Sequence, residues 1–300
     1  QLNKDVNSAS MKLFKPLDSY RMGRSGRGIP RNAGKNHHNG VEVFFNIDDK
    51  LLNENSAITL EFYDEEKKLI KKFDNKSDEN ILDIEGEKNS FVWNMRYNDA
   101  KEFDGLIMWA ASLRGPVASP GKYYVRLTVN DESEEQSFKI LKDPRSNSSE
   151  DDLEEQFNFL LGIRDKVSDI HQTIIDIRSS RSQLNDLKSK ISDKYPDIES
   201  TIIDVISRIN LVEEKLYQTK NRSGQDPLNF PIRLNNKLAH LSSVASVGNF
   251  KPTDQMYNVR DELIGLIDIE LKTWQDIKEN DLVKLNSTIL ENNIQLITIN

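Results

Sequence analysis

Residues 148–191 read SSEDDLEEQFNFLLGIRDKVSDIHQTIIDIRSSRSQLNDLKSKI. After the acidic cap SSEDD, one apolar series runs Leu153, Leu160, Val167, Ile174 and a second runs Ile163, Ile170, Ile177, Leu184, Ile191. The two interleave as the a and d positions of a heptad, which predicts a helix burying one long seam. At ~1.5 Å per residue such a helix is roughly 60 Å long, too long to be covered by one compact sheet. It therefore needs partner helices, and the chain after it is expected to supply them.

Those partners are legible as further periodic segments. KYPDIES breaks the chain and restarts it, with Pro196 in the turn and Glu199 early in a helix carrying Ile198, Ile202, Val205, Ile209, Val212 and Leu216 inward. After the connector TKNRSGQDPLNFP, Leu234, Leu238 and Leu241 form a third stripe, closed by Gly248 and Pro252. Thr253 caps a last long helix with Met256, Val259, Leu263, Ile267, Leu271 and Trp274 expected to face inward. Four helices with mostly short connections predict an up-down-up-down antiparallel four-helix bundle over residues 153–290. The tail IQLITIN, with 291–300 assigned as an extended segment, reads as a strand without a visible partner.

Before residue 150 the hydrophobic period is two. Candidate strands are 41–47, 57–64, 67–73, 91–97, 106–112, 122–129 and 136–141, short and rich in β-branched and aromatic residues. Ile58, Leu60 and Phe62 share one face, and Tyr123, Val125, Leu127 and Val129 another. Pro120 presets φ and Gly121 is expected to take a positive φ, so the chain can reverse before the penultimate strand. The expected class is α+β: an immunoglobulin-like β-sandwich over 41–142, a linker over 143–152, then the bundle. Residues 1–40 read as a basic arm or linker.

Composition narrows the functions open to such a chain. Three hundred residues suffice for two domains with their own cores. With no cysteine, a thiol nucleophile, a thiolate metal site and a disulfide framework are excluded. No apolar run approaches the ~20 residues that span a bilayer. The first residue, Gln1, points to a processed or truncated product. Net charge is −8, but residues 1–40 hold eight Lys or Arg against two Asp, a local +6 that leaves −14 on the rest. The acidic body should repel nucleic acid. The basic stretch RMGRSGRGIPRNAGKNHHNG lacks the interleaved aromatics of a stacking platform, so it reads as a solvated connector. GRSGRG at 23–28 follows no strand and opens no helix, as a dinucleotide fingerprint would.

Chemistry is not evident. His37 and His38 are neighbours in the basic loop, and His171 and His240 stand singly on helices. HExxH, GxSxG and P-loop patterns are all missing. The reading is therefore of no cofactor, no metal and no catalytic residues in this chain.

Two resemblances sharpen it. FVWNMRY, MWAASLRGP and SPGKYYVRLTV are similar to the pattern of immunoglobulin-like domains of the flagellar hook-capping type. That likeness implies Trp93 as a core anchor and Tyr123 as the aromatic opening the next strand. Trp109, beside Met108 in a poorly alternating stretch, is the better candidate for exposure. QDPLNFPIRLNNKLAHL at 225–241, with PVASPGKYYVRLTV and KDPR at 142–145, resembles the C-terminal region of bacterial sortilin-like proteins with Asp-box propellers, often labelled glycosyl hydrolases. The resemblance covers roughly residues 40 to 290. It implies a non-catalytic, extracytoplasmic module whose protein partner is a propeller domain or a larger surface or secretion assembly, with no nucleic acid and no membrane span. The alternative it implies is part of a glycoside hydrolase whose catalytic propeller lies outside this chain.

Within that motif Asp226 can cap the turn at Pro227, Asn229 lies in the loop, and Pro231 can occupy a first helical turn near Arg233. Asn235 and Asn236 are polar residues beside an apolar stripe. They read as buried amides satisfying loose backbone groups, in preference to a ligand-binding loop. At the far end of the long helix the a series turns to Arg181 and Lys188, which Asp204, Glu213 and Glu214 of the next helix could meet. As rim residues, each such pair would contribute under ~1 kcal/mol. A docking surface for a partner is the sharper alternative.

Overall fold

The computed structural model describes residues 10–22, 38–191 and 194–294. The basic loop 23–37 with His37, and all but the first residue of the tail IQLITIN, lie outside the described residues. The chain divides into two compact units. The first comprises residues 1–99, 114–159 and 247–251, and the second 100–113, 160–246 and 252–300.

Two sheets make the first unit. One has the order β1-β3-β6, from β1 (Met11–Leu13), β3 (Val41–Ile47) and β6 (Lys88–Trp93), all antiparallel. The other has the order β2-β8-β7-β4-β5, from β2 (Ser19–Arg21), β4 (Ile58–Tyr63), β5 (Leu69–Asp74), β7 (Gly121–Val129) and β8 (Glu132–Lys142). It is antiparallel except where β2 runs parallel to β8. Alternation drives burial: Val41, Val43, Phe45 and Ile47 from β3, Ile58, Leu60 and Phe62 from β4, and Tyr123, Val125, Leu127 and Val129 from β7 enter one shared core. At its centre the Trp93 ring stacks on Phe62 with centroids 4.5 Å apart.

The immunoglobulin-like sandwich drawn from 41–142 is corrected here. Two strands come from the stretch read as a basic arm, one of them in parallel pairing, and 106–112 forms no strand. Arg21 explains why so short a strand as β2 holds its place. Its buried guanidinium donates from Nη2 to Gln156 Oε1 at 2.7 Å, and Gln156 Nε2 donates to the Gly248 carbonyl at 3.1 Å. Burial pushes the Arg21 pKa down to about 10, which still leaves it charged at neutral pH.

The helices are α1 (Glu150–Ile191), α2 (Pro196–Leu216), α3 (Leu234–Ala245), α4 (Asp254–Asp276) and α5 (Val283–Glu291). A π-helical stretch, Ile277–Leu282, joins the last two. Residues 150–159 of α1 group with the first unit and 160–191 with the second. The apolar residues of the heptad seam, from Leu153 to Ile191, are all buried.

The up-down-up-down four-helix bundle is also corrected. Lys166 of α1 pairs with Asp268 of α4 at 2.8 Å, and further along Ser179 and Ser180 face Lys278 and Leu282 across one cleft. Residue numbers rise together on both helices, so α1 and α4 run parallel, whereas that bundle topology would set its first and last helices antiparallel. α3 is only 12 residues long, and a non-helical segment from the sheet half, Ala100–Leu113, belongs to the helical unit. Val259, expected to face inward, is exposed. Among the described residues no helix is long and apolar enough to cross a membrane.

Candidate functional site

Segment 100–113 leaves the chain between β6 and β7 and closes on itself, the Ala100 N–H donating to the Leu113 carbonyl at 2.7 Å. Gly105, at φ +77°, makes a bend that a side chain would strain. Phe103 is its buried anchor. Its ring meets the edges of His171 and Tyr217, with centroids 4.9 and 5.1 Å away, and the Arg178 guanidinium lies 4.7 Å over it.

The helices then satisfy the segment's backbone group by group. Tyr217 Oη donates to the Gly105 carbonyl and accepts from the Ile107 N–H, both at 3.1 Å. Arg178 Nη1 donates to the Asp104 carbonyl at 3.1 Å. Asn236 Oδ1 accepts from the Trp109 N–H at 2.7 Å, and its Nδ2 donates to the Trp109 carbonyl at 2.8 Å. His240 Nδ1 donates to the Ala110 carbonyl at 2.6 Å. The buried His171 ring bonds the Lys101 carbonyl through Nδ1 and faces Asn235 Nδ2 at 3.2 Å through Nε2. Burial pushes the His171 pKa below the usual histidine range, against the opposing pull of the Lys101 carbonyl.

This framework presents one aromatic. Trp109 is 40% exposed while both of its backbone polar groups are held by the buried Asn236, and Ala110 beside it takes φ +49°. A non-glycine residue in the left-handed region is uncommon and persists where its surroundings over-determine it. Here those surroundings are Asn236 on one side and His240 on the other.

The remaining residues singled out from the sequence divide by location. Trp93 is fully buried and donates from Nε1 to the Arg96 carbonyl at 3.1 Å. Tyr123 is buried and donates to the Ser119 carbonyl at 2.8 Å, a bond that shares the turn with half-buried Pro120. Gly121 opens β7 without a positive φ, so its expected role there is corrected.

Asp226 does not cap the turn that follows it, whose N-cap is Gln225 without a side-chain bond; its carboxylate instead ties back to the residues before it. One carboxylate oxygen accepts from the Arg222 and Ser223 N–H groups, which hold its pKa below the usual range. Pro227 lies in that single 3-10 turn, Asp226–Leu228, and Asn229 closes it. Pro231 precedes α3 instead of entering it, and its carbonyl accepts from Gln218 Nε2 at 2.9 Å. Arg233 is the N-cap residue of α3, without a side-chain capping bond.

Arg181 is no loose rim cation. It donates to Asn210 at 2.5 Å and, beside Arg178, to Glu213, whose side chain is only 2% exposed. Lys188 reaches Glu199 at 3.9 Å. His38 lies 3.2 Å from Glu42, and among the described residues no group of three His, Asp or Glu could hold a metal ion.

The sequence sets His171 apart only as a single histidine on a helix and does not single out Tyr217 or Phe103, which with His171, Asn235 and Asn236 build the site. The signal available was slight: His171 follows the core position Ile170 on the buried side of α1. No protein-family model and no curated protein matches the chain.

Proposed function

We propose that this chain is a non-catalytic protein-interaction module that acts outside the cytoplasm beside a sortilin-like propeller, with Trp109 as its contact anchor. The observation that carries the proposal is the preorganised Trp109: a large aromatic face in solvent on a backbone already fixed by Asn236 and His240. Interfaces concentrate binding energy in such aromatics, and a backbone ordered beforehand loses little entropy on association. The sequence motif that resembles sortilin-like proteins supplies Asn236, which holds this segment, and Asn235, which meets His171 behind it, and this supports the choice of partner. Arg181 and Lys188 are weaker anchors, since their charges are already paired within the helices.

The glycoside hydrolase alternative needs two cooperating carboxyl groups in a cleft. The cleft containing Glu213 and Glu214 engages both oxygens of Glu213 with Arg178 and Arg181, which leaves that carboxylate unsuited to proton transfer. Surface plasmon resonance against a purified sortilin-like propeller domain tests the proposal. Trp109→Ala is expected to weaken binding by about tenfold or more at an unchanged melting temperature. Equal binding by that variant, or turnover of a glycan panel by the purified chain, overturns it.

A further inference from the structure

The last helix leaves α geometry over Ile277–Leu282, where it runs as a π-helix. Such stretches are rare and recur at functional sites, because the wider turn re-aims the side chains that follow it. Trp274 stands just before the π turn. It is 2% exposed, and its indole Nε1 is buried without a hydrogen-bond acceptor among the described residues. A buried donor left unpaired is costly, and native structures keep few of them.

Trp274 lines an open cleft of about 430 Å³ between α1 and the last helix, within the size range of small-molecule sites. Lys278 also lines it, with Nζ 5.5 Å from the Trp274 ring centroid and no ion-pair partner among the described residues. Across from them Asp176 has one carboxylate oxygen taken by Gln172 Nε2 at 2.7 Å, which leaves the other available. Ser180 and Asn286 add a hydroxyl and an amide, and Leu282 and Val283 form an apolar wall.

The charges decide what fits. The lining holds one ammonium and one carboxylate, so a simple anion would leave Asp176 uncompensated and a simple cation would leave Lys278 so. A molecule carrying both charges meets both. We propose that this cleft binds a small zwitterion, an α-amino acid with an aliphatic side chain. Its carboxylate bonds Lys278, its ammonium meets Asp176, and its side chain packs on Leu282 and Val283 beside the Trp274 ring. The assignment is independent of the role given to Trp109.

The indole N–H of Trp274 is the reporter. In the full chain labelled with ¹⁵N-tryptophan, three indole signals arise from Trp93, Trp109 and Trp274, and Trp274→Phe or triple-resonance assignment identifies the third. Titration with L-leucine is expected to shift the Trp274 signal saturably while Trp93 and Trp109 stay still. Isovalerate and isoamylamine, which carry one charge each, are expected to bind about tenfold more weakly or worse, as is leucine to Lys278→Met and to Asp176→Asn. Both substitutions lie at the cleft surface and are expected to leave the fold intact, which the unchanged Trp93 signal would report. No response to millimolar leucine overturns the assignment. So does isovalerate binding as well as leucine, or a leucine response that survives in both variants.

Discussion

Asn235 on α3 presents its Nδ2 to His171 Nε2 on α1 at 3.2 Å, and both side chains are buried. The donor amide requires Nε2 to be the acceptor, so the neutral ring carries its proton on Nδ1, where the Lys101 carbonyl receives it. Burial penalises the charged ring, and protonating Nε2 would also set two donors against each other in that buried site. The folded pKa is therefore depressed below the ordinary 6.5. The unfolded chain binds the proton first, so this contribution to stability is complete above about pH 6.5 and is lost as pH falls below it. Urea midpoints between pH 7.5 and 5.5 should drop more steeply for the native chain than for His171→Gln, whose amide oxygen can still accept from Asn235. Parallel curves would remove His171 from the account.

Asn236 is the next testable contact. Its amide is buried and pairs with both backbone groups of Trp109. Replacing it with leucine keeps the volume but removes both bonds, and each unpaired backbone group costs roughly 1–3 kcal/mol if it stays buried. The loop can relax toward water, so the expected loss is about 2 kcal/mol and is local. Hydrogen exchange at the Trp109 amide should accelerate by well over an order of magnitude while core amides of β7 are unchanged. Protection retained at Trp109 would show that something else holds the segment.

The helical seam was open to sequence reading because its d series stays apolar from Ile163 to Ile191, its a series from Leu153 to Ile174, and every position is local. The same holds for β3, β4 and β7, whose alternation is long enough to count. Segment 100–113 misled because Leu106, Ile107, Met108 and Trp109 look like a buried strand, while the groups that satisfy its backbone, Tyr217 and Asn236, lie more than a hundred residues away in sequence. β1 and β2 are three residues each, too short for any period to show. The orientation of α4 against α1 follows from packing that heptad positions do not encode, and so the bundle topology was misread. Candidate-site residues were legible as types, with Asn235, Asn236 and Trp109 singled out, but their meeting depends on a long-range insertion.

Glu213 tests the paired cations of α1. Its carboxylate is engaged by Arg178 and Arg181, whose side chains are 34% and 26% exposed. Removing one partner of a buried pair costs about 3–5 kcal/mol, and partial solvation of the guanidiniums brings this toward about 2 kcal/mol. Arg181→Glu should be worse than Glu213→Gln, since it sets two carboxylates together at a nearly dry position. Chemical denaturation of both variants checks the order. A melting temperature for Arg181→Glu within a degree or two of the native chain would return Arg181 to the rim.

Gly115 sets the limit of close packing in the sheet unit, in the stretch Arg114-Gly115-Pro116. Its N–H donates to Asp99 Oδ1 at 2.8 Å, and its carbonyl accepts from Arg96 Nη1 at 2.7 Å. A Cβ placed there would stand 2.2 Å from the Tyr97 carbonyl oxygen and 2.4 Å from that of Asn98. Both are main-chain atoms and cannot swing aside as a side-chain tip would. The backbone dihedral is not the constraint, since φ at Gly115 is not in the left-handed region. Gly115→Ala should therefore cost at least the ~1–3 kcal/mol typical of overpacking, by forcing these two main-chain segments apart or two hydrogen bonds to break. Gly162, on α1 with nothing within 4 Å of the same added atom, is the matched control. There the change to alanine removes only glycine's excess freedom in a helix and should stabilise by about 0.5–1 kcal/mol. Urea midpoints that move in opposite directions for the two variants are the expected result, and a Gly115→Ala chain as stable as the native one would show that this backbone approach is not tight in solution.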